Sequence, residues 1–175
     1  MNTATTTIDF ALGESSLGQI LVALSERGVC AISLGDQAEP QIEHLLQKFP
    51  TARLNPDNAA LKSILDQVLA FVESPSRNLD LTLDLRGTPF QQQVWHALTA
   101  IPPGSTSTYT TIANRIGEPT AVRAVASACA ANPVALAVPC HRVITSNGSL
   151  SGYRWGVARK AELLRREALA TRQDH

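Results

Sequence analysis

Thr108-Tyr109-Thr110-Thr111-Ile112-Ala113-Asn114-Arg115-Ile116-Gly117-Glu118-Pro119-Thr120-Ala121-Val122-Arg123 reads as one short helix, a turn and the start of a second helix. Thr108 can cap the first helix, and Gly117 supplies the left-handed residue that stops it. The second segment runs from Ala121 to Asn132 and is built almost wholly of small residues, with Arg123 projecting near its start. Two short helices across a glycine turn have helix-turn-helix spacing. Small side chains permit close approach to another backbone or to a nucleic-acid groove, although a helical hairpin that binds nothing shows the same pattern. Cys129, among alanines, reads as a packed small residue.

Downstream, Asn132-Pro133 ends the helix and Val134 to Val138 delivers Pro139-Cys140-His141-Arg142-Val143. A thiol here sits against an imidazole and a guanidinium, neighbours of the kind that lower a cysteine pKa and make it a nucleophile. The same residues also suit a small core cysteine at the end of a strand, and local sequence leaves both readings open. Asn147-Gly148 marks a turn. Gly148, Gly152 and Gly156 surround Tyr153-Arg154-Trp155 without the spacing of a phosphate cradle. Ala158 to about Ala170 reads as a final helix, followed by a disordered tail from Thr171.

Upstream, Thr88-Pro89-Phe90-Gln91 combines an N-cap, an N1 proline and a capping box. That helix carries Phe90, Val94, Ala97, Leu98 and Ile101 on its apolar face and stops at Pro102-Pro103-Gly104; Trp95 reads as core and His96 as solvated. Before Arg86-Gly87 the pattern changes. Thr5 to Leu12 suggests a first strand, and Gln19 to Leu24 with Val29 to Leu34 a hairpin turning at Gly28. Cys30 in that hairpin reads as core. Pro40 to Phe49 reads as a helix with His44 off its apolar stripe, hence solvated. Asn55-Pro56 is taken as the cap of a longer helix ending at Ser74-Pro75, and the alternation Leu79-Asp80-Leu81-Thr82-Leu83-Asp84-Leu85 as a strand with one wet face. The expected fold is therefore a two-lobe α+β protein. Residues 1–85 form a small antiparallel sheet with helices, a scaffold lobe; residues 86–175 form a mainly helical lobe with a helix-turn-helix-like motif.

The net charge of zero conceals a segregation. Residues 1–85 hold 5 Lys/Arg and 11 Asp/Glu, whereas residues 86–175 hold 10 and 4, and nine of those ten bases are arginine. Arginine suits phosphate forks and groove insertion, so the second half is the one expected to meet a polyanion. Mutual packing of an acidic and a basic half gives the same segregation. Three unpaired-looking cysteines point to a reducing compartment, with the cytoplasm as the expected location. No secretory leader or membrane-length apolar run is visible, and no ligand spacing suggests a metal.

Tyr109, Arg123, Asn132-Pro133, Pro139-Cys140-His141-Arg142-Val143, Gly152-Tyr153 and Leu163-Leu164 with Glu167 occur in an order that resembles the O6-alkylguanine-DNA alkyltransferase family. Phe90 to Trp95, Ala121 to Ala131 and Ser151 to Val157 strengthen the likeness. The resemblance implies a ribonuclease H-like first lobe and a monomer that binds double-stranded DNA containing O6-alkylguanine through the minor groove. It implies a single-turnover methyltransferase without a cofactor, acting on O6-methylguanine and also O4-methylthymine. The flipped base would be attacked by Cys140, with His141 as base through a bridging water, Glu167 orienting the imidazolium and Tyr109 as proton donor. Arg123 would fill the emptied stack and Asn132 would tie the helix to the cysteine loop. Val143, Tyr153 and the backbone of Arg154 would hold the base, with Thr110, Ala121 and Arg142 in the DNA- and base-contacting set. Many relatives have a serine and two glycines where Arg154-Trp155-Gly156 stands, which bears on pocket width. Some longer members carry an N-terminal zinc domain; its absence from this sequence implies repair without metal-dependent regulation, unless the chain is a fragment.

Two other readings make different predictions. A lesion-sensing or transcription-regulating module would bind DNA without covalent change. A cysteine hydrolase would turn over repeatedly, with its histidine distant in sequence.

Overall fold

The computed structural model describes residues 7–173. Three antiparallel strands, β1 (Asp9–Ser15), β2 (Gly18–Ser25) and β3 (Gly28–Gly35), are followed by α1 (Ala38–Lys48) and a two-residue β4 (Arg53–Leu54). The order is β3-β2-β1-β4, and β4 runs parallel to β1, so the sheet is mixed rather than wholly antiparallel. The chain crosses over through α1 and adds β4, a strand the sequence pattern does not announce, parallel to β1 at the far edge. The first strand lies later than the Thr5–Leu12 reading, whose opening residues fall outside the described ones.

Both faces of this sheet are covered, which explains the unbroken apolar run Ile20-Leu21-Val22-Ala23. Ile20, Val22 and Ile32 join the main core beneath α2 (Ala59–Glu73), whereas Phe10, Leu21, Ala23 and Cys30 pack with Leu45 of α1 on the other face. Gly28 has a φ of +146° at the hairpin, and a Cβ there would lie 2.6 Å from the Thr82 carbonyl oxygen. Only glycine lets the 79–85 segment come so close.

Two expectations change here. Asn58, not Asn55, caps α2, accepting from the Leu61 N–H. Asn55 is used elsewhere: its N–H donates to the Phe10 carbonyl and its side chain to Asp9. Residues 79–85 form no full strand; Leu83 alone bridges Val29, through bonds from Val29 N–H to Thr82 O and from Asp84 N–H to Val29 O. Asp84 is buried against Ser25 and Arg86, and this polar cluster ends the alternation. Further along the same edge of β3, Ile32 donates to Pro133 O and accepts from Ala135 N–H.

The second half is built of α3 (Pro89–Thr99), β5 (Ser107–Thr108), α4 (Tyr109–Arg115), α5 (Val122–Ala130), β6 (Val143–Ile144) and α6 (Val157–Gln173). Thr88 and Gln91 complete the reciprocal capping box on α3, and Trp95 is buried with its Nε1–H donating to Ala128 O of α5. Thr108 caps α4 and Gly117 adopts φ +78°. α6 continues through Thr171, whose hydroxyl donates to Glu167 O, so the expected tail is helical as far as Gln173. Residues 174 and 175 lie outside the described residues. Among the described residues no helix is long and apolar enough to cross a membrane, and no His/Cys/Asp/Glu cluster could hold a metal.

Candidate alkyl-acceptor site

Cys140 opens a single helical turn, Cys140–Arg142, between the buried segment Val134–Val138 and β6. Parallel pairing of β5 with β6 sets Ser107 beside Val143, bringing the start of α4 to the cysteine loop. Tyr109, Arg123, Cys129, Cys140, Gly152 and Tyr153 line a cavity of about 560 Å³, a size suited to a small organic group.

The thiol is buried at the cavity wall. Asn132, also buried, donates from Nδ2 to Val138 O at 2.9 Å and to Cys140 Sγ at 3.3 Å, while its Oδ1 accepts from Val134 N–H. Burial pushes the Cys140 thiol up to about 11, against the opposing pull of the Asn132 amide and the Lys160 charge. Neighbours that favour a lowered pKa are thus outweighed by desolvation. A protonated thiol needs a base at the moment of reaction.

His141 follows the thiol directly in the chain. Its Nε2 lies 2.8 Å from Glu167 Oε2, and both side chains are inaccessible to solvent. Burial raises the Glu167 carboxyl, but hydrogen bonds from His141 and Arg142 outweigh this and its pKa is lowered. An ionised carboxylate can only accept, so Nε2 carries the proton and Nδ1 keeps a lone pair. Nδ1 is buried and has no hydrogen-bond partner in the protein. Burial lowers the imidazole pKa despite the opposing Glu167 charge, so the ring is neutral.

Arg142 is corrected. Its guanidinium is completely buried, donating to both Glu167 oxygens, to Asn78 Oδ1 and to Ile101 O. No part of that side chain is open to DNA; it locks α6 against the cysteine turn. Arg123 and Thr110 are exposed on α5 and α4, Ala121 is half-buried at the α5 cap, and Tyr153 lines the cavity with its hydroxyl unpartnered. The Val143 carbonyl is engaged by Lys160 at 2.6 Å, leaving its second lone pair for another donor. Tyr109 shares a 2.8 Å hydrogen bond with Ser151 Oγ, and burial raises its phenol pKa. His44 is exposed as expected, yet it meets Arg154 at 2.7 Å.

Two site residues escaped the sequence reading. Lys160 is wholly buried, and its ammonium also lies 3.4 Å from Ser151 Oγ and Gly152 O. Its spacing of three from Leu163 and seven from Glu167 puts it on the buried face of α6, a signal the helical period carries. Ser151 gave no such signal; its φ of +60° is a non-glycine left-handed conformation held by the surrounding loop.

Comparison with known proteins gives a consistent result. Residues 89–169 match the 6-O-methylguanine DNA methyltransferase DNA-binding domain, and residues 8–85 match the ribonuclease-like domain of the same proteins. The chain is 54% identical over 161 residues to the bifunctional transcriptional activator/DNA repair enzyme Ada of Escherichia coli, covering 92% of this chain and 46% of that one. It is 42% identical over 144 residues to the inducible methylated-DNA–protein-cysteine methyltransferase of Bacillus subtilis, covering 80% of each. The chain therefore spans about half the length of Ada. Mycobacterium tuberculosis OGT in complex with DNA has the same fold, with a TM-score of 0.80 and 35% identity over 93% of this chain and 94% of that one.

Proposed function

The chain belongs to the 6-O-methylguanine DNA methyltransferase family, and we propose that it repairs duplex DNA by transferring the alkyl group of O6-alkylguanine to its own Cys140. The observation that carries this reading is the buried His141, held at Nε2 by Glu167 with Nδ1 left without a partner, directly after Cys140 in the wall of a base-sized cavity. Residues 1–85 act as the scaffold lobe and residues 86–175 as the DNA-binding and acceptor lobe. The protein acts as a monomer, and its three free thiols suit the reducing cytoplasm.

The exposed α4–α5 hairpin enters the minor groove, with Thr110 and Ala121 near the backbone. Arg123 takes the place of the extruded base, offsetting the few kcal/mol lost on flipping. Inside the cavity, Tyr153 forms a wall, and the backbone at Val143 and Arg154 reads the guanine edge. A water passes the Cys140 proton to His141 Nδ1. Sulfur attacks the alkyl carbon as the bond from that carbon to O6 breaks, and the electron pair leaves with guanine. Tyr109 gives the departing base a proton and regains one from the imidazolium side of the network. Glu167 stabilises that imidazolium. The thioether product offers water no leaving group comparable to that of a thioester, so each molecule acts once.

The test is incubation with a duplex carrying one O6-methylguanine, followed by intact-protein and peptide mass spectrometry. One methyl group on Cys140 for each lesion repaired is the expected result, with Cys140→Ser unmodified. Unmodified wild-type protein beside an unrepaired lesion would overturn the reading. O4-methylthymine in the same assay tests the second substrate.

A further inference from the structure

Arg154 stands between two networks that the alkyl-transfer chemistry does not otherwise join. Its Nη1 donates to the backbone carbonyl of Asn132 over 2.6 Å, and its Nη2 lies 2.7 Å from His44 Nε2 on α1. The guanidinium carbon sits 5.2 Å from the centre of the Trp155 ring. A guanidinium only donates, so His44 accepts at Nε2 and its own proton lies on Nδ1. His44 is largely exposed, and its partial desolvation, followed by the charges of Arg154 and Lys48, lowers its pKa, in keeping with that accepting form.

Asn132 is the residue whose amide touches Cys140 Sγ. Its three side-chain bonds run to Val138 O, Cys140 Sγ and Val134 N–H, all within the loop that carries the thiol. Arg154 adds the fourth constraint, on the Asn132 main chain, and this one has its other end in the first lobe. Charge-assisted bonds to a carbonyl and to a ring nitrogen are stronger than neutral ones and directional. The strut therefore fixes the peptide from which the Asn132 amide reaches sulfur.

We propose that Arg154 is a positioning residue for alkyl transfer: a strut from His44 of α1 that holds Asn132, and through its amide the Cys140 sulfur, in line with the alkyl carbon. The strut rests on the alkyl-transfer reading above. It gives the first lobe a part in the chemistry beyond that of a platform, and it assigns the arginine side chain a role separate from that of its backbone N–H.

The test is single-turnover transfer from an O6-methylguanine duplex at saturating DNA, with duplex affinity measured separately. The variants are Arg154→Ala, Arg154→Lys, His44→Leu and the double variant Arg154→Ala/His44→Leu. Small errors in the alignment of reacting atoms cost large factors in rate, so Arg154→Ala should slow transfer by about tenfold while affinity stays within about twofold. Arg154→Lys, which can still reach one carbonyl, should recover part of the loss. The double variant should be no slower than Arg154→Ala, because the two side chains act as one unit. A wild-type rate in Arg154→Ala, additive losses in the double variant, or a defect confined to DNA affinity would each overturn the strut. Absence of transfer by the wild-type protein would overturn the underlying reading as well, and that result is visible before any variant is made.

Discussion

Glu167 accepts the Nε2–H of His141 over 2.8 Å, and neither side chain reaches solvent. This contact places the imidazole proton on Nε2 and leaves Nδ1 as the unpartnered acceptor. The same carboxylate also neutralises Arg142, so one acid holds both the imidazole and the guanidinium of the cysteine turn against α6.

Glu167→Gln keeps the shape of the acid but removes its charge. Without an ionised acceptor the tautomer is no longer enforced, and alkyl transfer should slow by about 10²-fold. Arg142 would be left buried with no counter-charge, and breaking such a pair costs roughly 3–5 kcal/mol. Single-turnover rates and urea melts measure the two effects. An unchanged rate would remove Glu167 from the relay.

The pH profile should separate base-assisted from unassisted attack. Burial lowers His141 below 6.5, so the wild-type rate should hold through neutrality and fall as pH drops through the folded pKa of that ring. In His141→Ala the thiol, pushed up to about 11, must ionise unaided, and the rate should rise about tenfold per pH unit between 7 and 9. Stability follows the same groups. The folded pKa values of His141 and Glu167 both lie below their ordinary values of 6.5 and 4.5. Their contributions are therefore full above those values and are lost as pH falls through the folded ones. Melting temperature against pH should decline first below about 6.5 and again below about 4.5; a flat acid limb would contradict the buried pair.

Lys160→Met tests the buried ammonium. The thioether keeps much of the apolar stem but cannot donate to Val143 O or lower the Cys140 pKa. Transfer should drop by about tenfold and thiol labelling by iodoacetamide should require a higher pH, with the helical circular dichroism retained. Labelling at the wild-type pH would show that the lysine is only structural.

Arg123→Ala should discriminate between duplex and single-stranded substrates. If Arg123 compensates for lost stacking, transfer from duplex should slow by roughly 10–100-fold, with a much smaller effect on a single strand where no stack must be opened. Equal losses on both substrates would assign the arginine to general affinity.

The order of the candidate site residues is more legible in the sequence than the support around them. Cys140, His141 and Glu167 stand in recognisable order, and Thr88 and Gln91 announce their capping box locally. The Asn55-Pro56 cap misleads because Asn58 has the same chemistry three residues later; both side chains donate to Asp9, and the bond from Asn55 N–H to Phe10 O ties only Asn55 to the sheet. The resemblance puts Arg142 in the DNA- and base-contacting set; nothing local reveals that Glu167, Asn78 and Ile101 converge on it instead. Lys160 was legible in principle from helical phase, whereas the Arg154–His44 contact joins residues 110 positions apart and leaves no local trace.

The outer edge of β3 is completed by Leu83 on one stretch and Val134 on another, the latter only six residues before the thiol. Backbone groups of Ile32, Pro133 and Ala135 have each other as partners, so separating the halves would strand donors and acceptors in both. The molecule should accordingly melt in one calorimetric transition, with van't Hoff and measured enthalpies in agreement. A substitution in β3 far from the cavity would then lower the population of competent protein by mass action, without altering the rate of those molecules that remain folded.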